Sequence, residues 1–174
     1  MQLSFQLFFF SKIKRGDYMD IKYMKMAYNE AVKAFNKEEI PVGCVIVKDD
    51  LVIARAHNLR EIKNQVMAHA EMLAITKANK KLKSWRLDDC DIYVTLEPCP
   101  MCLGAIIQSR IKNLYFGAYD KKGGACGSIL DLTNYSFNHK VNVIGGIYEK
   151  ECSELLSNFF KNLRAWLYNL IVIQ

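Results

Sequence analysis

Proline and glycine are scarce in this chain, with 3 Pro and 9 Gly among 174 residues. That scarcity excludes collagen-like, mucin-like and wholly disordered chains. With 51% hydrophobic and 24% charged residues, what remains is ordinary globular protein. The length suits one domain that buries its own core. Cysteine, at 6 residues, is too sparse for a disulfide scaffold. Four of them (Cys44, Cys90, Cys126, Cys152) stand alone in apolar or mixed surroundings. Buried thiols in a reducing cytosol explain these better than a secreted framework does. Long apolar runs are missing as well. The opening MQLSFQLFFF is apolar for only ten residues, against the roughly 20 that a membrane-spanning helix needs. The closing LYNLIVIQ falls under the same limit. Lys12, Lys14 and Arg15 follow the first apolar run instead of preceding it, the wrong order for a signal peptide. The expectation is a cytoplasmic protein with no export or membrane segment. Residues 1–18 read as an atypical extension, an over-long reading frame with Met19 as initiator, ahead of a domain over residues 19–174.

Net charge is +6, with lysine outnumbering arginine 18 to 6. Such an excess permits a polyanionic partner without demonstrating one. From Asp20, Ile21, Met24, Tyr28, Ala31 or Val32, and Phe35 recur at helical spacing until Pro41 and Gly43 stop the pattern. VGCVIVKDDLVIARAHN reads as a β-hairpin turning at Lys48-Asp49-Asp50. Residues 59–67 are polar and irregular, residues 68–78 helical, and 79–90 basic and loop-like. DIYVTL is a third strand that breaks at Glu97-Pro98-Cys99-Pro100 into a helix over about 101–110. NLYFGAYD is a fourth strand, followed by the Gly-rich KKGGACGS, and KVNVIGG a fifth. Cys152, Leu155, Leu156, Phe159 and Leu163 mark an amphipathic last helix. This order predicts an α/β protein: a three-layer α/β/α sandwich around one mixed, mostly parallel five-stranded sheet with a hairpin edge.

Two segments carry chemistry: His69-Ala70-Glu71 and Pro98-Cys99-Pro100-Met101-Cys102. One His and two Cys are borderline and soft ligands suited to Zn²⁺. The chain offers no second Cys-x-x-Cys, so a fourth position is left to water, the pattern of catalytic zinc. Residues i and i+2 do not share a face within a helix. His69 and Glu71 therefore meet one site only where the chain enters its helix, and the prolines put Cys99 and Cys102 in a helix's first turn. Two helix N-termini then converge on the metal and favour thiolates, while Glu71 is free to move protons. Other readings of the same residues are a redox Cys-x-x-Cys pair, a core histidine at His69, and a structural zinc that recruits His57.

The His-x-Glu and Pro-Cys-x-x-Cys pair resembles the signature of the zinc-dependent cytidine deaminase superfamily. Around it IPVGCVIV, AHAEMLAI, YVTLEPCPMCLGAI, SRI, FGAYDKKGGACGS, NH and LLSNFF closely resemble, in order, the bacterial tRNA-specific adenosine deaminases over residues 20 to about 164. The resemblance implies a cytidine deaminase-like fold and a homodimer that converts the wobble adenosine of a tRNA anticodon stem-loop, that of tRNA-Arg, to inosine. It implies one zinc per chain on His69, Cys99 and Cys102, with Glu71 as proton shuttle. It further implies that Asn58 recognises the flipped base and that Asp120 lies near the target nucleotide's backbone and ribose. Without the resemblance, Asn58 ends a strand and Asp120 caps a turn. DNA and membranes are not expected partners. The last helix departs from the family: after Lys161 and Arg164 it turns apolar where a basic, RNA-gripping end is usual. Competing functions are a guanine or other free-nucleobase deaminase and a catalytically silent RNA-binding subunit, the latter opposed by the intact Glu71.

Overall fold

The structure, a computed structural model, describes residues 15–172. The expectation of an extension over residues 1–18 therefore lies outside the described residues as far as position 14. Helix α1 spans Arg15–Phe35, so the chain is helical before the Asp20 onset read from the periodicity. Its buried stripe is Tyr23, Met24, Ala27, Ala31 and Ala34, whereas Ile21 is exposed. The helical period is as expected, but the stripe is rotated toward the alanines. Close approach to the sheet explains the rotation. A Cβ on Gly43 would sit 2.0 Å from the Ala27 carbonyl and 2.4 Å from the Ala31 nitrogen, so glycine faces small residues there.

Strands β1 (Gly43–Lys48) and β2 (Leu51–His57) form the hairpin. Asp49 and Asp50 both take positive φ, 49° and 59°, the left-handed pair that matches the twist of the strands. A single helical turn, α2 (Arg60–Lys63), lies in the stretch read as irregular. Its Ile62 N–H donates to Glu39 Oε1 at 2.8 Å, a contact across 23 residues that local sequence does not announce. Helix α3 (Ala70–Leu82) runs on past position 78 because Lys80 and Lys81 are good helix formers, and Lys83 ends it in the left-handed conformation. Then come β3 (Cys90–Leu96), α4 (Pro100–Gln108), β4 (Asn113–Ala118), a 3₁₀ turn at Leu132–Asn134, β5 (Asn142–Ile144) and α5 (Glu149–Val172).

The five strands are ordered β2-β1-β3-β4-β5. Only β3–β4 and β4–β5 are parallel; β1 pairs antiparallel with both β2 and β3, so the sheet is evenly mixed and not mostly parallel. Both faces are covered. Cys44, Ile46, Ile92 and Val94 point into the core beneath α3 and α4. Their alternates Val45, Val47 and Tyr93 meet α1. Strands buried on both sides explain the unbroken apolar run VGCVIV. Helices α3 and α4 thus lie over one face and α1 and α5 over the other, which is the expected sandwich. The far end of α5 leaves the body of the fold. Trp166, Leu167 and Tyr168 are 60%, 45% and 69% exposed. A cleft of about 530 Å³ runs between this helix and the end of α1, lined by Phe35, Phe159, Leu163 and Trp166, and holds none of the chemistry-bearing residues. Among the described residues no helix is long and apolar enough to cross a membrane.

Candidate metal centre and active site

Parallel strands β3 and β4 release the chain at the same edge of the sheet, and helix starts gather there. In open α/β sheets that edge is where a crevice opens. His69 is the N-cap of α3, extended at φ −73°, ψ 151°, and Cys99 is the N-cap of α4 at φ −72°, ψ 169°, followed by Pro100 in the first turn. Neither side chain caps its own helix, so both are free to face outward. His69 turns Nδ1 toward the sulfurs, 3.8 Å from Cys99 and 3.5 Å from Cys102. The ligating atoms of His69, Cys99 and Cys102 all lie within 4.8 Å of one another, the one such metal-ligating group among the described residues. A soft and borderline donor set brought this close fits a single transition-metal ion. The two expected helix starts do converge.

Electrostatics follow from this crowding. The Cys102 thiol donates to Cys99 and, with His69, pulls the Cys99 thiol well below its ordinary value against the effect of burial. The same hydrogen bond and burial push the Cys102 thiol up. His69 is raised by its hydrogen bond with Cys99, against burial. Glu71, in the first turn of α3, is only 4% exposed and lies within hydrogen-bonding reach of Cys102. Burial pushes its carboxyl up to about 7, against the pull of its own backbone N–H and of His69. A carboxyl poised near neutrality can both take and give a proton.

His57 stands apart from this group. Its Nδ1 is 3.0 Å from Glu30 Oε2 and its Nε2 is 3.0 Å from Lys37 Nζ, which disposes of it as a fourth metal ligand. Asn58, next in the chain, is 5% exposed, and its backbone N–H donates to the Val42 carbonyl. The Leu59 N–H then donates to the Ala68 carbonyl at 3.0 Å, which brings the end of β2 beside the His69 turn. Asp120 is joined by its backbone to the turn that carries Cys99: its N–H donates to Glu97 Oε2 at 3.0 Å. Its side chain accepts from the Lys122 N–H at 2.9 Å, the turn-capping role expected of Asp120 without the resemblance.

Sequence reading passed over Glu97. It is 2% exposed at the end of β3, and its carboxylate accepts hydrogen bonds from the loop after β4. A signal was available, because an acidic residue between an apolar strand and a Pro-Cys turn has to be buried with partners.

The sequence profile of the MafB19-like deaminase family matches residues 19–164. The tRNA-specific adenosine deaminase of Bacillus subtilis (strain 168) is 51% identical over 146 residues, covering 83% of this chain and 91% of its own length. A solved structure from studies of A-to-I editing by tRNA:A34 deaminases at the wobble position of transfer RNA has a TM-score of 0.72 at 42% identity. It covers 77% of this chain and 98% of its own. A guanine deaminase from Bacillus subtilis is more remote, with 33% identity, a TM-score of 0.54, and coverage of 67% of this chain and 85% of its own. Fold and site together define an enzyme of the deaminase class. Within that class the chain belongs to the family of the tRNA-specific adenosine deaminases.

Proposed function

We propose that this protein deaminates adenosine to inosine at the wobble position of a tRNA anticodon loop, that of tRNA-Arg. The reaction is a hydrolysis: water adds to the amino-bearing ring carbon, the carbon–nitrogen bond breaks, and ammonia leaves. One juxtaposition carries the chemical reading, the buried Glu71 carboxyl set against the His69, Cys99 and Cys102 donors. In this reading His69 Nδ1 and the two sulfurs hold one zinc ion, with the two helix N-termini favouring the thiolates. When bound, zinc supplies a Lewis acid that makes water acidic near neutral pH. Glu71 takes up the proton that water gives up, delivers it to the ring nitrogen beside the reacting carbon, and next serves the departing ammonia. Asn58 holds the base edge, and among the described residues no hydrogen bond occupies its side-chain amide. Asp120 lies on the ribose side.

The substrate follows from kinship with the tRNA-specific relatives. A base in a loop is already splayed, which lowers the cost of taking it into a pocket. Exposed lysines at 80, 81 and 83 and at 121 and 122 meet phosphates, and contacts to neighbouring nucleotides supply orientation that a free nucleoside lacks. The same kinship points to a homodimer working in the cytoplasm.

Inosine formation on a tRNA-Arg anticodon stem-loop, compared with turnover of free adenosine and of guanine, tests the reading. The expected outcome is turnover of the stem-loop and almost none of the free compounds. Equal or faster turnover of a free base would overturn the RNA substrate and leave a small-molecule deaminase.

A further inference from the structure

We propose that Glu97 is the positioning residue that fixes the loop from Asp120 to Ser128 against the metal-binding turn, and that this anchor sets how well the RNA substrate binds. The second half of that statement rests on the RNA-deaminase reading; the first does not.

Glu97 sits where β3 ends, immediately before Pro98 and Cys99. Its own N–H donates to the Ala118 carbonyl at 2.8 Å, so its backbone is held to the end of β4. Its carboxylate then reaches into the loop that β4 releases. Oε2 accepts from the Asp120 N–H at 3.0 Å and from the Ser128 hydroxyl. Oε1 accepts from the Cys126 N–H at 2.8 Å and from the Ser128 N–H at 3.1 Å. One carboxylate thus ties down both ends of the loop. Beside it, the Ala125 N–H donates to the Pro98 carbonyl at 2.9 Å, so the loop is hydrogen-bonded to the residue that precedes Cys99.

Three features separate this from ordinary loop packing. Glu97 is almost wholly buried, and among the described residues no cation pairs with it. A buried carboxylate without a counter-ion is costly unless hydrogen bonds satisfy it. An apolar side chain would pin the loop at lower cost. The carboxylate adds direction, because four donors fix the loop's orientation as well as its position. Gly124 is the second feature. A Cβ there would lie 2.4 Å from Glu97 Cδ and 2.5 and 2.6 Å from its two oxygens, so the loop folds over the carboxylate only because position 124 has no side chain. The third is where the anchored segment leads. It begins with Asp120, the residue assigned to the ribose side of the substrate, and Glu97 is two positions from Cys99. Glu97 touches neither donor set nor substrate; it holds the wall of the site that carries Asp120 in register with the turn that carries the metal.

The test uses the full-length zinc-loaded protein and the variants Glu97→Gln, Gly124→Ala and Ser128→Ala. Amide hydrogen exchange reads the anchor directly. In Glu97→Gln the amides of Asp120, Cys126 and Ser128 should exchange about tenfold faster or more, with those of β3 and β4 unchanged. On the anticodon stem-loop, KM should rise about tenfold with kcat held within about threefold, the mark of lost ground-state binding. Zinc content should stay at one per chain. Gly124→Ala, which displaces the carboxylate, should move exchange and KM in the same direction, and Ser128→Ala should do so more weakly. Unchanged exchange and KM in Glu97→Gln would overturn the proposal. So would an equal fall in kcat with loss of zinc, which would assign Glu97 to the metal centre instead. Should Glu97→Gln fail to fold, unaltered exchange and KM in both remaining variants would overturn it. If the wild-type protein ignores the stem-loop, the substrate reading falls, while the exchange measurement still decides the anchor.

Discussion

Glu71 lies in the first turn of α3 and Cys99 is the N-cap of α4, and their surroundings give them different chemistry. Burial raises the Glu71 carboxyl to about 7 against the pull of its own backbone N–H and of His69, a value that suits the proton-carrying role proposed for it. Cys99 is half-buried beside the Cys102 thiol and His69, which hold its thiol well below the ordinary value, as its proposed role as a metal ligand requires. The two roles come apart on substitution. Glu71→Ala keeps the fold and one metal per chain but loses about 10²–10⁴-fold in kcat, the usual worth of a positioned proton carrier. Cys99→Ala loses the metal itself, and activity with it. Metal analysis beside steady-state rates separates them. A Glu71 variant with only a few-fold loss, or a Cys99 variant with stoichiometric metal, would break the assignment.

At the scale of elements, one cluster around the buried Glu30 carboxylate joins α1 to β2. Burial alone would raise the Glu30 carboxyl, but hydrogen bonds from Lys33, at 2.5 Å, and from His57 outweigh it and hold it below its ordinary value. A carboxyl lowered in the folded state stabilises the fold above its unfolded pKa, and that stabilisation is lost as pH falls through the lower, folded value. Urea midpoints should therefore drop below about pH 4.5. Glu30→Gln should unfold more easily at pH 7 and show a shallower acid dependence. Equal acid slopes for the two proteins would contradict this. The cluster was not legible in the sequence, because its members are separated by 27 and 20 residues and meet only when the helix crosses the sheet. The same cause hid the α2 turn, capped from Glu39, and the rotation of the α1 stripe, set by Gly43. What local chemistry dictates was legible: the Asp49-Asp50 turn, the Pro100 helix start, and the convergence of His69 with Cys99 and Cys102. Glu97 fell between these cases, since its residue type was visible but its partners, 23 to 31 residues on, were not.

For the whole molecule, a metal held as proposed by His69, Cys99 and Cys102 would tie the α3 start to the α4 start across one face of the sheet. A ligand bound only by the folded state adds stability by mass action, about 4 kcal/mol at a free concentration 1,000 times Kd. In a chain of this size that is roughly 8–16 °C in Tm. Stripping the protein with a chelator should lower Tm by that order, and returning zinc should restore it. A Tm indifferent to chelation would mean that the two helix starts are held together without the metal.

The antiparallel pairing of β1 with β3 also has a consequence for the order in which the protein can be made. The hairpin is complete once His57 has been added, but the other edge of β1 waits for β3, which ends at Leu96. At about 5–20 residues per second, those roughly 40 residues take about 2–8 s of synthesis. Throughout that interval the edge formed by Gly43-Cys44-Val45-Ile46-Val47 is unpaired, apolar on both faces, and guarded only by Lys48. A nascent chain that has emerged from the ribosome as far as the hairpin but not as far as β3 therefore holds out a strand ready to pair with whatever is nearest, including another copy of itself. Slower emergence of β3 is expected to lower the share of chains that reach the state in which the site can assemble.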